Sequence, residues 1–241
     1  MLNIVIPMAG LGSRFAKAGY TDPKPLIPVS GVPMIRLVIE NMRPSQAHRF
    51  VFICQQSHIE AYGLRDKLGR WGGANAVVVG IAGVTEGAAC TVLAAKAHID
   101  NDQPMMIVNS DQWCDVAVDD YLATMSVDDL DGLIMTMTAD DPKWSFVGLD
   151  PVGLVNRVAE KQVISNEATV GIYNFRRGAD FVRAAEAMVA ANERVNNEFY
   201  VAPVYNRLIA AGANIHIDVA NEVWVLGTPE DLGDFEARYP A

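Results

Sequence analysis

The chain has 241 residues, 51% of them hydrophobic, and a formal charge of −10 from 29 acidic and 19 basic side chains. That is enough apolar material for one large, well-filled α/β unit, and no Lys/Arg-rich run is present that could neutralise a row of nucleic-acid phosphates. Cys54, Cys90 and Cys114 are odd in number and lack CxxC or Cys/His spacing. This argues against a disulfide framework and a zinc site and points to a reducing cytoplasm. The first residues lack a basic signal-peptide start, and no segment approaches the ~20 apolar residues of a membrane span.

Met1 to Pro7 reads as a first β-strand, followed by a glycine-containing loop, a proline-rich stretch and a helix over Met34–Met42 with apolar residues at helical spacing. Phe50–Cys54 reads as a buried strand, Ile59–Leu68 as a helix, Ala76–Ile81 as a strand, Gly87–Ile99 as a helix and Pro104–Asn109 as a strand. Short apolar strands between helices predict an α/β, Rossmann-like fold: a mostly parallel sheet covered by helices on both faces. Beyond Asp120 the strands Leu133–Thr138, Ser145–Leu149 and Ala168–Phe175 are separated by turn-like segments, which predicts a small antiparallel extension. Helices follow over Ala179–Ala191 and Phe199–Ala211, and a last one starts at Thr228 as N-cap with Pro229 as its first residue. One domain is expected, with about 1–120 as a nucleotide-binding half and about 121–241 as an acceptor-binding half.

Directly after the first strand stands Met8-Ala9-Gly10-Leu11-Gly12-Ser13-Arg14-Phe15, and further on Asp22-Pro23-Lys24-Pro25. Glycine lets backbone N–H groups turn toward anionic oxygens, and Arg14 can fork onto a polyphosphate. Lys24 between two prolines is expected on an extended backbone that holds one ammonium in place. A dinucleotide fingerprint wants glycine where Phe15 stands, and no Walker A loop is present. The combination therefore reads as a triphosphate cradle of another type.

These residues resemble the nucleotidyltransferase family that includes the sugar-1-phosphate nucleotidylyltransferases, or NDP-sugar pyrophosphorylases. Their signature is Gly-x-Gly-[Ser/Thr]-Arg after the first strand and then Lys-Pro. The resemblance implies a GT-A-like architecture and transfer of NMP from an NTP to a sugar 1-phosphate, forming an NDP-sugar for surface polysaccharide or cell-envelope synthesis. It implies nucleotide-binding roles for Met8, Ala9, Gly10, Leu11, Gly12, Ser13, Glu86, Gly87 and Ser110, and catalytic roles for Arg14 and Lys24. Asp111, at a strand's carboxyl edge, is implied as the Mg²⁺ ligand. The acceptor side is implied at Gly148, Glu160, Lys161, Gly171, Tyr173 and Glu198.

The sequence departs from the family pattern at one place: Val225 stands where a second metal-binding Asp is expected, before Leu226-Gly227-Thr228-Pro229. Asp218, Glu222, Glu198 or the nucleotide's own phosphates could complete the metal shell. Three other readings stay open: a cytidylyltransferase acting on a phosphorylated alcohol or amine, a nucleotide-sugar glycosyltransferase, and a nucleotide-binding domain without turnover. The base, the acceptor and whether the chain forms a homo-oligomer are not read from sequence. The chain ends without the repeat domain some relatives carry, so a second acetyltransferase-type activity is not expected. The partners expected are an NTP and a phosphorylated small molecule, with no nucleic acid and no membrane insertion. His48, His58, His98 and His216 are scattered and receive no role.

Overall fold

The computed structural model describes residues 1–127 and 129–239. In chain order the first part runs β1 (Leu2–Pro7), α1 (Ser13–Lys17), the hairpin β2 (Pro28–Val29) and β3 (Val32–Pro33), α2 (Met34–Asn41), β4 (His48–Gln55), α3 (Gln56–Tyr62), α4 (Leu64–Gly72), β5 (Val77–Ile81), α5 (Ala88–Leu93), α6 (Lys96–Ile99) and β6 (Met105–Val108). The remainder runs β7 (Gln112–Cys114), α7 (Val118–Val127), β8 (Gly132–Thr138), β9 (Ser145–Leu149), β10 (Val155–Glu160), β11 (Glu167–Phe175), α8 (Gly178–Ala190), α9 (Val204–Ala210), β12 (Ile215–Val219), β13 (Val223–Val225) and α10 (Pro229–Arg238).

Among the described residues nine strands form one sheet. Its parallel part is β5-β4-β1-β6, and β11 continues it antiparallel to β6. β11 also pairs antiparallel with β8 and β9, β10 closes the edge against β9, and β12 returns parallel to β8. The antiparallel extension expected in the second half is therefore present, with one parallel strand added to it.

The apolar β1 run follows from burial on both faces. Ile4 and Ile6 point to one side, onto Ile35, Val38 and Ile39 of α2, whereas Val5 points to the other, onto Val92 and Ile99. Each of these β1 side chains is fully buried, and burial of this kind stabilises by about 1.5–3 kcal/mol per side chain. A third cluster joins Phe15, Ile27, Met34, Leu226, Leu232 and Phe235. It fastens the loop after β1 to α10.

Several boundaries differ from the sequence expectation. The helix expected over 59–68 is two helices, parted at Gly63 with φ 60°, and the one expected over 87–99 breaks after Leu93 and resumes at Lys96. The helix expected from Phe199 begins only at Val204, because Phe199 spends its backbone N–H and C=O on Glu86 and Ala89. Lys24 is not on extended backbone. It opens a 3₁₀ turn over Lys24–Leu26, in which the N–H of Leu26 donates to the carbonyl of Pro23 at 2.8 Å. Thr228 does cap α10, its hydroxyl accepting from the N–H of Asp231 at 3.1 Å, with Pro229 in the first helical turn.

Candidate functional site

The chain leaves β1 on one side for β4 and β5 and then crosses to β6 on the other, so the carboxyl ends of β1 and β6 flank a topological switch point, where open α/β sheets take ligands. A groove of about 550 Å³ lies there. Met8, Gly10, Gly12, Ser13 and Arg14 line it from the β1 loop, Lys24 and Pro25 from the 3₁₀ turn, and Asn109, Ser110 and Asp111 from the end of β6. Glu198, Tyr200 and Gly227 close it.

The glycine loop is shaped by Gly12, which adopts φ 59°. A β-carbon there would stand 2.9 Å from Cβ of Lys24, so the loop and the lysine turn meet only because position 12 has no side chain. Gln55, buried at the end of β4, donates from Nε2 to the carbonyl of Ala9 at 2.9 Å and fixes the loop's entry. Phe15 anchors its exit in the cluster under α10 and lies 5.7 Å, ring centroid to Nζ, from the Lys24 ammonium. The position that departs from the dinucleotide fingerprint is thus a packing anchor.

Lys24 Nζ pairs directly with Oδ2 of Asp111. Beside them, Arg14, Asp231 and Val225 converge on Gly227: a β-carbon at Gly227 would lie 3.4 Å from Cγ1 of Val225, 3.5 Å from Oδ2 of Asp231 and 3.7 Å from Nη1 of Arg14. Val225, opposite Gln112 in the β13–β7 ladder, therefore brings an apolar methyl to this spot. Of the substitutes considered for the missing carboxylate, Glu222 accepts from the Tyr239 hydroxyl at 2.5 Å and Asp218 lies on β12 opposite Met135, whereas Glu198 lines the same groove as Asp111. Among the described residues no group of three or more His, Cys, Asp or Glu is arranged to hold a metal ion. Mg²⁺ is commonly held by one or two carboxylates with water and substrate phosphates completing an octahedron, so Asp111 together with a phosphorylated substrate is a donor set that fits it.

A second cavity of about 440 Å³ continues from the groove past Ala9, Gly10 and Leu11 to Val84, Thr85, Gly87 and Ala88, with Glu198 and Tyr200 shared between the two. Gly87 has φ 125°, and a β-carbon on it would lie 2.5 Å from the carbonyl oxygen of Phe199. Glu86 does not line either space: it is exposed and paired with Arg194 at 2.9 Å.

The residues expected on the acceptor side separate. Ser145 and Glu160 face each other in the β9–β10 pair, and the Ser145 hydroxyl donates to the Glu160 carboxylate. Burial raises the carboxyl above its ordinary value, and the Ser145 hydroxyl and Lys161 oppose that shift. Lys161 donates from Nζ to the Tyr200 hydroxyl at 2.6 Å, and this bond raises the ammonium above its ordinary range. Gly171, at φ 90°, forms an irregularity in β11 and accepts at its carbonyl from the Asn109 N–H at 3.0 Å, so it supports the groove from beneath. Tyr173 is buried, its hydroxyl 2.9 Å from that of Thr169. Gly148 lies on a different cavity, among Asn156, Ile164 and Asn166, and is not brought to the groove.

Asn109, Gly227 and Tyr200 line the groove without having been singled out in the sequence. Asn109 and Gly227 flank motif residues. Tyr200 lay in a segment whose apolar spacing reads as helix, and only the tertiary pairing of Phe199 reveals otherwise.

The Nucleotidyl transferase family matches the chain over residues 4–239. The crystal structure of the nucleoside-diphosphate-sugar pyrophosphorylase from Vibrio cholerae RC9 is similar at a TM-score of 0.82 and 30% identity, over 96% of this chain and 98% of that one. Mannose-1-phosphate guanylyltransferase catalytic subunit beta of Danio rerio is 26% identical over 182 residues, 72% of this chain and 49% of that protein. Bifunctional protein GlmU of Burkholderia orbicola (strain MC0-3) is 26% identical over 229 residues, 92% and 48% respectively. The chain thus spans about half the length of these curated relatives. Among the described residues no helix is long and apolar enough to cross a membrane.

Proposed function

The chain belongs to the nucleotidyl transferase family, and from that premise we propose that it transfers the NMP group of a nucleoside triphosphate to a sugar 1-phosphate, releasing pyrophosphate and forming an NDP-sugar. The observation that carries this reading is the convergence of the Gly10–Gly12 loop, Arg14, Lys24 and Asp111 on one groove at the carboxyl ends of β1 and β6. The sugar phosphate as acceptor is supported by the relatives, among them a nucleoside-diphosphate-sugar pyrophosphorylase and a mannose-1-phosphate guanylyltransferase.

In this mechanism the loop N–H groups and Arg14 hold the β- and γ-phosphates and stabilise the departing pyrophosphate. Lys24 leaves Asp111 for the α-phosphate, where its point charge opposes the charge that builds on the equatorial oxygens. Asp111, with phosphate oxygens, would hold Mg²⁺, which when bound neutralises charge between donor and acceptor. The acceptor phosphate is ionised near neutral pH and attacks the α-phosphorus in line, so no general base is needed. Lys161 and Glu198 meet the acceptor's phosphate side, and the cavity past Leu11 and Gly87 takes the nucleoside.

The test is pyrophosphate release in the presence of Mg²⁺. Each of the five common NTPs is tried against a panel of sugar 1-phosphates and phosphorylated alcohols and amines. Release that requires one NTP, one sugar 1-phosphate and Lys24, lost in Lys24→Ala, is the expected result. Release only with a phosphorylated alcohol or amine would replace the acceptor class, and NTP binding without release for any acceptor would replace the transfer reading itself.

A further inference from the structure

The segment Glu198–Tyr200 joins two sides of the site. At its centre Phe199 is wholly buried; its N–H donates to the carbonyl of Glu86 at 2.8 Å, and its carbonyl accepts from the N–H of Ala89 at 3.0 Å. Arg194 braces it, with its guanidinium 4.2 Å from the Phe199 ring centroid and Nη1 2.9 Å from the Glu86 carboxylate. One residue on, the Tyr200 hydroxyl accepts from Lys161 Nζ at 2.6 Å, with the ammonium 4.7 Å from the tyrosine ring centroid. Lys161 itself is held at φ 54°, an uncommon conformation for lysine, by the end of β10 and by its N–H donating to the carbonyl of Trp144 at 3.0 Å. Lys161 is thus fixed by its own backbone bond, and Tyr200 by those of its neighbour Phe199.

We propose that Tyr200 is a positioning residue for the acceptor: its hydroxyl holds the Lys161 ammonium at the acceptor side of the groove, and the backbone of Phe199 ties that ammonium to the nucleoside-side loop. The inference rests on the reading above in which Lys161 meets the acceptor phosphate. A lysine side chain left unheld spreads over many rotamers, and the hydroxyl and ring of Tyr200 remove that freedom before the acceptor arrives. Because Tyr200 also lines both the groove and the nucleoside-side cavity, a nucleotide that packs on it steadies the acceptor cation.

Tyr200→Phe keeps the ring and removes only the hydroxyl. In the full chain, reductive methylation with formaldehyde and dimethylamine–borane, followed by mass spectrometry of each lysine, reads the freedom of Lys161 without any substrate. Its rate is expected to rise by about fivefold or more in Tyr200→Phe, since a hydrogen bond to a charged group is lost, while Lys143 is unchanged. An equal Lys161 rate in both proteins overturns the proposal. With the NTP and acceptor from the panel, Tyr200→Phe is expected to raise the acceptor KM about tenfold and to leave the NTP KM within about twofold. On a Lys161→Met background it should add nothing. If Lys161→Met raises the acceptor KM and Tyr200→Phe does not, Tyr200 has no positioning role. If Lys161→Met also leaves it unchanged, the acceptor reading of Lys161 falls and this inference with it. Should no pair release pyrophosphate, the transfer reading fails, and methylation still decides whether Tyr200 holds Lys161.

Discussion

Gly12 backs directly onto Lys24, so closely that a β-carbon on the glycine would stand 2.9 Å from that of the lysine. The backbone at Gly12, at φ 59°, is also one that an L side chain enters only at an energetic cost of about 1–2 kcal/mol. Gly12→Ala is therefore expected to displace the lysine turn, to lower stability by about that amount and to cut transfer about tenfold or more. Thermal unfolding and initial-rate measurement on the same preparation check both parts, and a fully active Gly12→Ala protein would show that the contact does not set the lysine.

At Gly87 the obstacle is main chain, since a β-carbon would meet the Phe199 carbonyl oxygen at 2.5 Å and its nitrogen at 2.6 Å. Neither atom belongs to a flexible side chain, and both hold backbone bonds to the loop. Gly87→Ala should destabilise by about 1–3 kcal/mol and expose the amides of Glu86 to Ala89 to faster hydrogen exchange. Unchanged exchange in this stretch would mean that the segment yields without loosening.

Glu160 supplies a pH dependence with a definite sign. Burial raises its carboxyl in the folded chain, so the folded state holds that proton more tightly than the unfolded state. The stabilisation it gives is complete below the unfolded value and is lost as pH rises through the folded one. Glu160→Gln keeps an acceptor for the Ser145 hydroxyl and removes the titration. Between about pH 4 and about pH 7 the wild-type unfolding temperature should therefore fall relative to that of the variant. Parallel curves for the two proteins would count against a raised carboxyl.

The thiols should react in a fixed order. Burial pushes Cys54 and Cys114 to about 12, and Cys90, though raised, is only half-buried. Because the thiolate is the reacting species, iodoacetamide at mildly alkaline pH is expected to label Cys90 first and to reach Cys54 and Cys114 only in denaturant. Mass spectrometry of the labelled peptides reads the order directly.

Removing the cap of α10 tests how firmly the arginine side of the groove is held. Thr228→Ala leaves the N–H of Asp231 without its acceptor, which costs about 1 kcal/mol and lowers the unfolding temperature by about 2–4 °C for a chain of this size. The drop should come with a higher NTP KM, because Gly227 beside the cap lies against Arg14.

The alternation of short apolar strands with amphipathic helices was enough to read the parallel part, because a strand such as β1 that is buried on both faces has to be apolar throughout. The lining of the groove was legible for a similar reason: Gly10, Gly12, Arg14, Lys24 and Asp111 stand out by residue type and motif spacing, and the groove gathers them. The helix breaks were not legible, since Gly63 is a tolerated helix residue until its left-handed φ is seen. The residues the resemblance implies for the acceptor are the least legible. The motif implies Gly148, yet it lies on another cavity, and the place of Tyr200 is set by a contact between distant segments, which periodicity does not carry. At Val225 the structure shows an apolar methyl near Gly227, with the Asp231 carboxylate and Arg14 on the same glycine, and these residues line an open cavity.

β11 exchanges partners partway along its length, lying against β9 at Ala168 and against β6 from Ile172 to Phe175, while on its other side it pairs with β8 over Glu167–Thr169 and again over Tyr173–Phe175, with a register shift between. Any rotation of the parallel strands against the antiparallel ones would have to shear the ladders on both halves of β11, whose side chains at Val170 and Ile172 between them are buried. The platform beneath the groove is therefore expected to behave as a keel, with substrate-dependent movement in the exposed loops at Leu11 and Val84 and in the loop at Trp144. Slow amide exchange along β11 in the presence and absence of NTP, with fast, ligand-sensitive exchange confined to those loops, is the signature of such an arrangement.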